Sequence, residues 1–333
     1  MNRRNFIRQT VVAGTALGIT NSPLLMGMQS TPIKIGVIGL DTSHAPAFTK
    51  IFNIENTKPE FQGFRVVAAY PHGSKDIESS VSRIPKYTEE VKAMGVQIVD
   101  SIEALLKMVD VVLLETNDGR LHKEQAFQVM KAGKPMFIDK PVAASLADAV
   151  AIYGEARKLN IPIFSCSSLR YMKSAQQVRY ENKVGKVLAA DTYSPATLEP
   201  HHPDLFWYGI HGVELLFTIM GTGCESISRH STEKMDVVVG QWKDGRIGTF
   251  RGTREGKHDY GGVAFGSDSN LVLGPFEDYD DLAIKIAEFF KSRKSPIDEA
   301  ETLEIYAFME AADEAKRSGG RVNLKDVFAK AKG

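Results

Sequence analysis

Short runs of β-branched residues alternate with amphipathic stretches from residue 33 onward, and this alternation constrains the fold more than any other feature. Such a rhythm is typical of parallel strands joined by crossover helices. Strands are predicted at residues 33–39, 64–70, 97–100, 109–115, 135–138 and 161–166. Helices are predicted at residues 45–53, 88–94, 101–107, 120–132 and 145–159. The first half of the chain is therefore predicted to form a doubly wound parallel α/β sheet, an architecture that commonly binds nucleotides.

The pattern changes after residue 169 to hairpin-like runs. Strands are predicted at residues 186–193, 235–242, 246–253, 261–266 and 270–273, and helices at 279–292 and 298–318. The Asp244–Gly245 pair between two alternating strands is a strong hairpin turn signal. With 333 residues the chain is long enough for two domains. We expect a parallel-sheet domain at 31–168 and a second α/β domain with an open, mainly antiparallel sheet at 169–333.

Composition excludes several classes of protein. Apolar residues make up 43% of the chain and charged residues 25%, which is typical of a folded globular protein. Lys and Arg together number 41, as do Asp and Glu, so the basic excess expected of a nucleic-acid-binding protein is missing. Two cysteines, Cys166 and Cys224, are too few for a disulfide framework, and we expect each to be a small buried residue.

Residues 1–30 have the layout of an export signal. Arg3, Arg4 and Arg8 precede a short apolar stretch at 11–19, and the segment contains no acidic residue. The apolar stretch is far shorter than the ~20 residues that span a bilayer, so no permanent membrane anchor is expected. The arginine pair resembles the twin-arginine signal of proteins that cross the bacterial inner membrane already folded. The sequence thus predicts a periplasmic protein, with a disordered basic tail as the alternative.

Three sequence landmarks point to one enzyme family. They are the Ile-Gly-Val-Ile-Gly run at 35–39, the Asp-Gly-Arg-Leu-His run at 118–122, and the stretch at 132–141 that ends in Asp-Lys-Pro. Together they resemble the Gfo/Idh/MocA oxidoreductases, named after glucose-fructose oxidoreductase and inositol dehydrogenase. The resemblance extends to about residue 330. It implies an N-terminal Rossmann domain, tightly bound NAD(H) or NADP(H), and hydride transfer to or from a carbon of a sugar or polyol.

The loop after the first strand departs from the family's G-x-G-x-x-G pattern. Gly39 occupies the first glycine position, but Asp41 and His44 occupy the other two. A carboxylate at the second position would repel a pyrophosphate unless it turns away. Thr42 and Ser43 offer hydroxyl and amide donors that would compensate for the missing glycines.

The end of the second strand also departs from the family pattern, because no acidic residue follows Tyr70 directly to bind the ribose hydroxyls. Ser74 and Lys75 would suit a 2′-phosphate and favour NADP(H), although a solvated loop explains them equally well. Candidate cofactor-binding residues are Gly39, Leu40, Asp41, Thr42, Ser43, His44, Tyr70, Ser74, Thr116, Asn117, His122, Asp139 and Lys140.

Proton transfer at the reacting alcohol needs a base in oxidation and an acid in reduction. The resemblance implies that Lys140 of the Asp-Lys-Pro element fills this role, with pairing to Asp139 as the structural alternative. In the family a catalytic Asp-x-x-x-His ends on a histidine that corresponds to His211. Trp207 occupies the position of the acid. Asp204, one turn before Trp207, or Glu214, one turn after His211, is predicted to orient His211 instead.

The stretch at 199–214 is the richest polar cluster in the sequence. We expect it to line a carbohydrate pocket, with candidate substrate-binding residues Arg170, His202, Asp204, Trp207, Tyr208 and Glu214. A divalent metal bound by His201, His202, Asp204, His211 and Glu214 is the less favoured alternative, and no metal is assigned.

Two hypotheses for function follow. The first is an NAD(P)-dependent oxidoreductase that acts on a small carbohydrate. The second is a noncatalytic carbohydrate-binding or scaffold protein that has lost its nucleotide. Lys140 and His211 favour the enzyme, whereas Asp41, Tyr70 and Trp207 favour the binding protein. In either case we expect a homo-oligomer that assembles through the C-terminal sheet.

Overall fold

The computed structural model describes residues 31–332, and the predicted signal segment lies outside these residues. The β-branched runs of the first half form a six-stranded sheet with the order β3-β2-β1-β4-β5-β6. Every neighbouring pair of its strands is parallel. The strands are β1 (Ile33–Ile38), β2 (Phe64–Tyr70), β3 (Gln97–Ile98), β4 (Val111–Leu114), β5 (Met136–Ile138) and β6 (Ile163–Phe164). This confirms the predicted doubly wound sheet.

Crossover helices connect these strands. They are α1 (His44–Asn53), α2 (Glu78–Ala93), α3 (Ile102–Leu106), α4 (Gly119–Lys131) and α5 (Leu146–Leu159). Ser101 and Ser145 cap α3 and α5, each accepting a hydrogen bond from a backbone amide in the first turn. Helix α2 begins well before the predicted start at residue 88. The prediction missed the first half of this helix because that half is polar, contains Pro85 and lacks a clear apolar periodicity.

The second half forms a seven-stranded sheet with the order β12-β11-β7-β10-β9-β8-β13. Its strands are β7 (Val187–Pro195), β8 (Cys224–Ser231), β9 (Met235–Trp242), β10 (Ile247–Thr253), β11 (Gly261–Gly266), β12 (Asn270–Leu273) and β13 (Val322–Asn323). Only the β7–β10 pair is parallel. The sheet is thus mainly antiparallel, as predicted. Gly245 turns the β9–β10 hairpin with a φ of +87°. Strands β8 and β13 were not predicted.

The remaining helices are α6 (Lys173–Arg179), α7 (Asp204–Trp207), α8 (Ile210–Met220), α9 (Asp280–Ser292), α10 (Glu299–Ser318) and α11 (Leu324–Lys332). Every residue of α8 is buried, and this helix lies against β7 and β10. Helix α9 follows the second sheet in the chain but returns to the first. Its Phe289 and Phe290 share a core cluster with Ile35 and Val37 of β1. The parallel sheet is therefore covered on one face by α1 and α9.

Two expectations from composition concern the residues that the structure describes. Between residues 31 and 332, no helix is both long and apolar enough to cross a membrane. Cys166 and Cys224 are buried and unpaired, as expected of small apolar residues.

Candidate active site

A cavity of about 470 Å³ lies at the carboxyl ends of β1, β4 and β5. This is the edge at which doubly wound sheets bind their ligands. Lys140 and Asn117 reach it from the first sheet, and His211 from α8. A larger hollow of about 750 Å³, lined by Arg157 and Arg293 among others, opens at the opposite ends of the strands. We place the site in the smaller cavity, because the predicted catalytic residues lie there.

Gly39 makes the tight turn after β1. Its φ is +90°, and a Cβ atom at this position would lie 2.5 Å from the backbone nitrogen of Thr116. Only glycine tolerates both the left-handed backbone and this close approach. The loop therefore passes directly over the end of β4 and delivers residues 42–44 to the cavity.

The carboxylate of Asp41 turns away from the cavity and is completely buried. It accepts a hydrogen bond from the backbone amide of Asn117 at 3.0 Å and another from the hydroxyl of Ser80. Gly73 lies against it so closely that a Cβ there would be 2.0 Å from an oxygen of Asp41. Burial raises the pKa of Asp41, although these hydrogen bonds oppose the increase. Asp41 thus ties together the loops that follow β1, β2 and β4.

The N-terminus of α1 faces the cavity through Thr42, Ser43 and His44, and the side chain of Ser43 does not cap the helix. A helix N-terminus with free amides attracts anions. Arg83 of α2 lines the same part of the cavity and adds a positive charge. These groups suit a pyrophosphate, and the passage from them to Lys140 suits a nicotinamide riboside. The residues present therefore fit a nicotinamide dinucleotide at this end of the crevice.

Asp139 interacts with two residues of the cavity wall. Its Oδ2 atom lies 2.8 Å from Nδ1 of His44 and 3.7 Å from Nζ of Lys140. Burial alone would raise the pKa of Asp139, but the neighbouring charges of His44 and Lys140 hold it below the usual range. Asp139 lies behind the cavity wall, whereas His44 and Lys140 both line the cavity.

Glu115, at the end of β4, is buried against this group, and neither of its carboxyl oxygens has a hydrogen-bond partner among the described residues. Burial and the charge of Asp139 raise the pKa of Glu115 well above the usual range. Of these two carboxyl groups, Glu115 therefore keeps its proton more readily than Asp139.

His211 is held by a hydroxyl group rather than a carboxylate. Its Nδ1 lies 2.7 Å from Oγ of Ser167. Burial, together with the charges of Lys140 and His44, lowers the pKa of His211 well below the usual range. His211 is thus a neutral imidazole in the cavity wall, beside Trp207 and Tyr208.

The structure corrects the prediction that Asp204 or Glu214 orients His211. Asp204 pairs with Arg229 at 2.9 Å and with Lys316 at 2.7 Å, away from the cavity. Glu214 accepts a hydrogen bond from the backbone amide of Ser167 at 2.7 Å, so it acts on His211 only through that residue. Helical spacing placed these acids near His211 but could not show that stronger cationic partners hold them.

Arg170 and Glu214 form a buried ion pair and do not line the cavity, contrary to the prediction that both bind substrate. Nε of Arg170 donates to Glu214 at 2.7 Å, and Nη1 donates to Glu301 of α10 at 2.7 Å. Despite burial, the two carboxylates raise the pKa of Arg170. This network joins the chain after β6 to α8 and α10 and has a structural role.

His202 is also placed behind the cavity wall rather than in it. It packs on Trp207 with 5.1 Å between ring centroids, and its Nε2 has no hydrogen-bond partner among the described residues. Burial lowers the pKa of His202 to about 4. The predicted contact of His202 with substrate is therefore corrected to a supporting contact with Trp207.

Several predicted cofactor residues lie outside the cavity wall. His122 is buried between the carbonyl oxygens of Thr116 and Pro141, at 2.6 and 2.8 Å. The hydroxyl of Ser74 donates to Asp76 at 2.7 Å, and Arg120 pairs with the same carboxylate. The residues predicted to bind cofactor that do not line the cavity are Gly39, Leu40, Asp41, Tyr70, Ser74, Thr116, His122 and Asp139.

The alternative metal site is not assembled. Asp204 and Glu214 are held by different arginines, and His201 is an exposed residue paired with Glu199 at 3.0 Å. His44, Glu115 and Asp139 do bring one potential ligand atom each within 4.8 Å of one another. The ammonium group of Lys140 beside Asp139 places a positive charge against a cation there, and we assign no metal to this group.

An aromatic wall is the main feature that sequence analysis missed. Tyr260, Phe276 and Tyr279 line the cavity, and Tyr279 packs against His44 of the loop after β1. Consecutive ring centroids along His44, Tyr279, Phe276, Tyr260 and His211 are 4.8 to 6.3 Å apart. These residues come from distant parts of the chain, so no local spacing in the sequence indicated them. Aromatic faces of this kind suit the apolar faces of a sugar ring.

A family model supports the predicted resemblance for the first half of the chain. Residues 33–165 match the Gfo/Idh/MocA model, described as the oxidoreductase family with an NAD-binding Rossmann fold. A 1,5-anhydro-D-fructose reductase from Ensifer adhaerens is 31% identical over 108 residues, which is 31% of this chain and 32% of that protein. The match thus spans about a third of the length of this curated relative.

Solved structures share the fold of the whole described chain. A scyllo-inositol dehydrogenase from Lactobacillus casei, with bound NAD(H) and scyllo-inositol, has a TM-score of 0.70 at 16% identity. It covers 88% of this chain and 99% of its own. A probable dehydrogenase from Thermotoga maritima has a TM-score of 0.71 at 19% identity, covering 89% of this chain and 100% of its own. At these identities the likeness shows the fold alone.

Proposed function

We propose that this chain, whose residues 33–165 match the NAD-binding domain of the Gfo/Idh/MocA oxidoreductases, is an NAD(P)-dependent oxidoreductase acting on a sugar or polyol alcohol. The observation that carries the proposal is one cavity lined by the helix N-terminus of α1, by Lys140 and by His211. It combines an anion-binding end with side chains that can form hydrogen bonds to a reacting hydroxyl group. The aromatic wall supports a ring-shaped carbohydrate as substrate.

When bound, the nicotinamide ring supplies a hydride acceptor or donor. Residues of the chain bind the dinucleotide and position the substrate. The amides of Thr42 and Ser43 and the guanidinium of Arg83 would hold the anionic part of the dinucleotide. Lys140 donates a hydrogen bond to the reacting oxygen and stabilises negative charge on it. His211, as a neutral imidazole, contacts the substrate hydroxyl from the opposite wall, and Trp207 and Tyr260 exclude water around the ring.

A panel of carbohydrates tests the reaction class. Purified protein is mixed with NAD⁺ or NADP⁺ and with myo-inositol, scyllo-inositol or simple hexoses, and reduced nicotinamide is followed by absorbance. The reverse direction uses 1,5-anhydro-D-fructose and the reduced nucleotide. We expect reduction or oxidation of nucleotide with at least one compound and none with the Lys140→Met variant. Binding of carbohydrate without any redox change would contradict the oxidoreductase.

Asp41 supports a second candidate, a carbohydrate-binding protein that has lost its nucleotide. Its carboxylate ties the three loops around the crevice together, and Asn117 donates its backbone amide to Asp41 rather than to a ligand. Such a protein would keep the aromatic wall but hold no dinucleotide. Analysis of nucleotide released on denaturation, together with calorimetric titration by NADH and NADPH, separates the two candidates, because only the oxidoreductase contains or binds either nucleotide.

We further propose that the protein is exported folded, with its nucleotide tightly bound. The support is the Arg3–Arg4 pair, the nearby Arg8 and the short uncharged stretch behind them. Replacing Arg3 and Arg4 together with lysine keeps the charge but removes the guanidinium pair. We expect the wild-type chain in the periplasmic fraction and the double variant in the cytoplasm; equal export of both would contradict this route.

We also propose a homo-oligomer that assembles through the open sheet. Its solvent-facing side exposes Tyr193, Ile247 and Val272, with 39%, 51% and 71% of their surfaces accessible. Exposed apolar residues on one face of a sheet often mark an interface. Sedimentation should show an oligomer for the wild-type chain and a shift towards monomer for Ile247→Lys, whereas a wild-type monomer would contradict the proposal.

A further inference from the structure

His44 stands out among the residues of the cavity because it alone combines an imidazole in the wall with a carboxylate behind it. It is the first residue of α1, at the third position of the altered glycine loop, and only 7% of its surface is exposed. Its Nδ1 lies 2.8 Å from Oδ2 of Asp139. A carboxylate that accepts from Nδ1 fixes the tautomer and leaves Nε2 unprotonated.

His211 lacks this support. Its Nδ1 meets the hydroxyl of Ser167, and the carboxylate that would stabilise its protonated form is replaced by Trp207. Burial further disfavours the charged ring. His211 can therefore donate or accept a hydrogen bond, but it is poorly suited to hold an added proton.

We propose that His44 is the acid–base catalytic residue of this site, with Asp139 as its positioning residue. The inference rests on the proposed oxidoreductase function. In the oxidation direction, the electron pair of the substrate C–H bond leaves with hydrogen as hydride to the nicotinamide. The O–H electron pair forms the carbonyl bond, and the hydroxyl proton passes to Nε2 of His44. Asp139 stabilises the resulting imidazolium, as carboxylates do for other histidine bases.

Lys140 has a separate part in this scheme. Its Nζ lies 3.7 Å from the same oxygen of Asp139 that faces His44. As an ammonium group it donates a hydrogen bond to the reacting oxygen but does not take its proton. The carboxylate of Asp139 thus interacts with both His44 and Lys140. Of these two, only the imidazole of His44 gains a proton during oxidation.

The charges around His44 come from several elements. Asp139 and Lys140 follow β5, Glu115 follows β4, and His211 lies on α8, while Tyr279 precedes α9 and stacks edge-on at 4.8 Å. Burial raises the pKa of Tyr279 to about 12, so it stays neutral. Of the two neighbouring carboxyl groups, Asp139 loses its proton more readily than Glu115, so Asp139 is the one that accepts the hydrogen bond from Nδ1 of His44.

The tautomer of His44 gives a test that does not need the substrate. Nitrogen NMR of ¹⁵N-histidine-labelled whole protein, assigned by comparison with His44→Gln, reports which ring nitrogen carries the proton. We expect Nδ1–H and an unprotonated Nε2 at neutral pH, and loss of this preference in Asp139→Asn. A ring protonated at Nε2, or a tautomer unchanged in Asp139→Asn, would overturn the proposal.

Chemical rescue tests the catalytic role directly. With a compound that the wild-type protein oxidises, His44→Ala should lower single-turnover hydride transfer ~100-fold or more, and added imidazole should restore a substantial part. Lys140→Ala is the matched control, because imidazole cannot replace an ammonium donor. Failure of imidazole to restore His44→Ala, with nucleotide still bound, would overturn the base assignment.

Two further measurements distinguish a failure of the His44 assignment from a failure of the proposed oxidoreductase function. Absence of nucleotide from the wild-type protein, together with no binding of added NADH or NADPH, would refute the proposed oxidoreductase, while the NMR result would still decide whether Asp139 fixes the tautomer of His44. Elemental analysis that finds one metal ion per wild-type chain, lost in Glu115→Gln, would overturn the proposal by making His44 a metal ligand. We expect no stoichiometric metal.

Discussion

The carboxylate of Asp41 accepts a hydrogen bond from the backbone amide of Asn117 at 3.0 Å, which joins the loop after β1 to the loop after β4. Both loops border the crevice in which the dinucleotide is proposed to bind. The hydrogen bond orders the loops, but the negative charge opposes an anionic ligand. The hydrogen bonds of Asp41 therefore favour an ordered nucleotide site, whereas its negative charge opposes nucleotide binding.

Asp41→Asn separates these two effects, because asparagine keeps the acceptor oxygen and removes the charge. We expect NADH to bind more tightly to the variant near neutral pH, by up to ~10-fold. Since the pKa of Asp41 is raised by burial, the difference should shrink as the pH falls and the wild-type carboxyl becomes protonated. Fluorescence titration at several pH values measures this. Weaker binding by the variant at every pH would show that the charge does not oppose the nucleotide.

Lys140→Met should abolish turnover and leave nucleotide binding largely intact. Lys140 interacts with Asp139 rather than with the loop amides that are proposed to hold the phosphates. A loss of ~100-fold or more in single-turnover hydride transfer is the size expected for a group that contacts the reacting oxygen. Nucleotide content by mass spectrometry is the control. Unchanged hydride transfer would contradict a catalytic role for Lys140 and indicate a structural one.

Arg170→Met should destabilise the protein by about 3–5 kcal/mol, because it leaves Glu214 buried without a cationic partner and Glu301 with only Arg179. Urea denaturation measures the free energy of unfolding. Arg246, which pairs with the exposed Asp244 in the β9–β10 turn, offers a control. Arg246→Met should change the free energy of unfolding far less than Arg170→Met. Equal effects of the two substitutions would contradict the structural role of the Arg170 network.

His202 should make the protein less stable in acid. Its pKa is about 4 in the folded state against 6.5 for an unperturbed histidine, so the unfolded chain binds this proton more readily. The free energy of unfolding therefore decreases progressively as the pH falls from about 6.5 towards 4. Replacing His202 with Gln should flatten the pH dependence of the unfolding free energy in that window. An unchanged slope would show that burial does not keep His202 neutral.

The sequence was sufficient to predict the parallel sheet, because β-branched runs and capped helices are local signals, and Asp244–Gly245 marked a hairpin correctly. It also placed Lys140 and His211, through the family resemblance, in what proved to be one cavity. The partners of Arg170 could not be predicted, since Glu214 and Glu301 lie 44 and 131 residues away in the chain. The aromatic wall was missed for the same reason. Long-range packing decides which polar residues face the cavity and which are held behind it.

The nucleotide content of the purified, folded protein tests the central claim most directly. Protein prepared without added nucleotide is denatured, and the released small molecules are identified by absorbance and mass spectrometry. The account predicts roughly one molecule of NAD(H) or NADP(H) per chain, in keeping with tight binding at the N-terminus of α1. Release of no nucleotide, together with no calorimetric binding of added NADH or NADPH, would contradict it and favour the carbohydrate-binding protein.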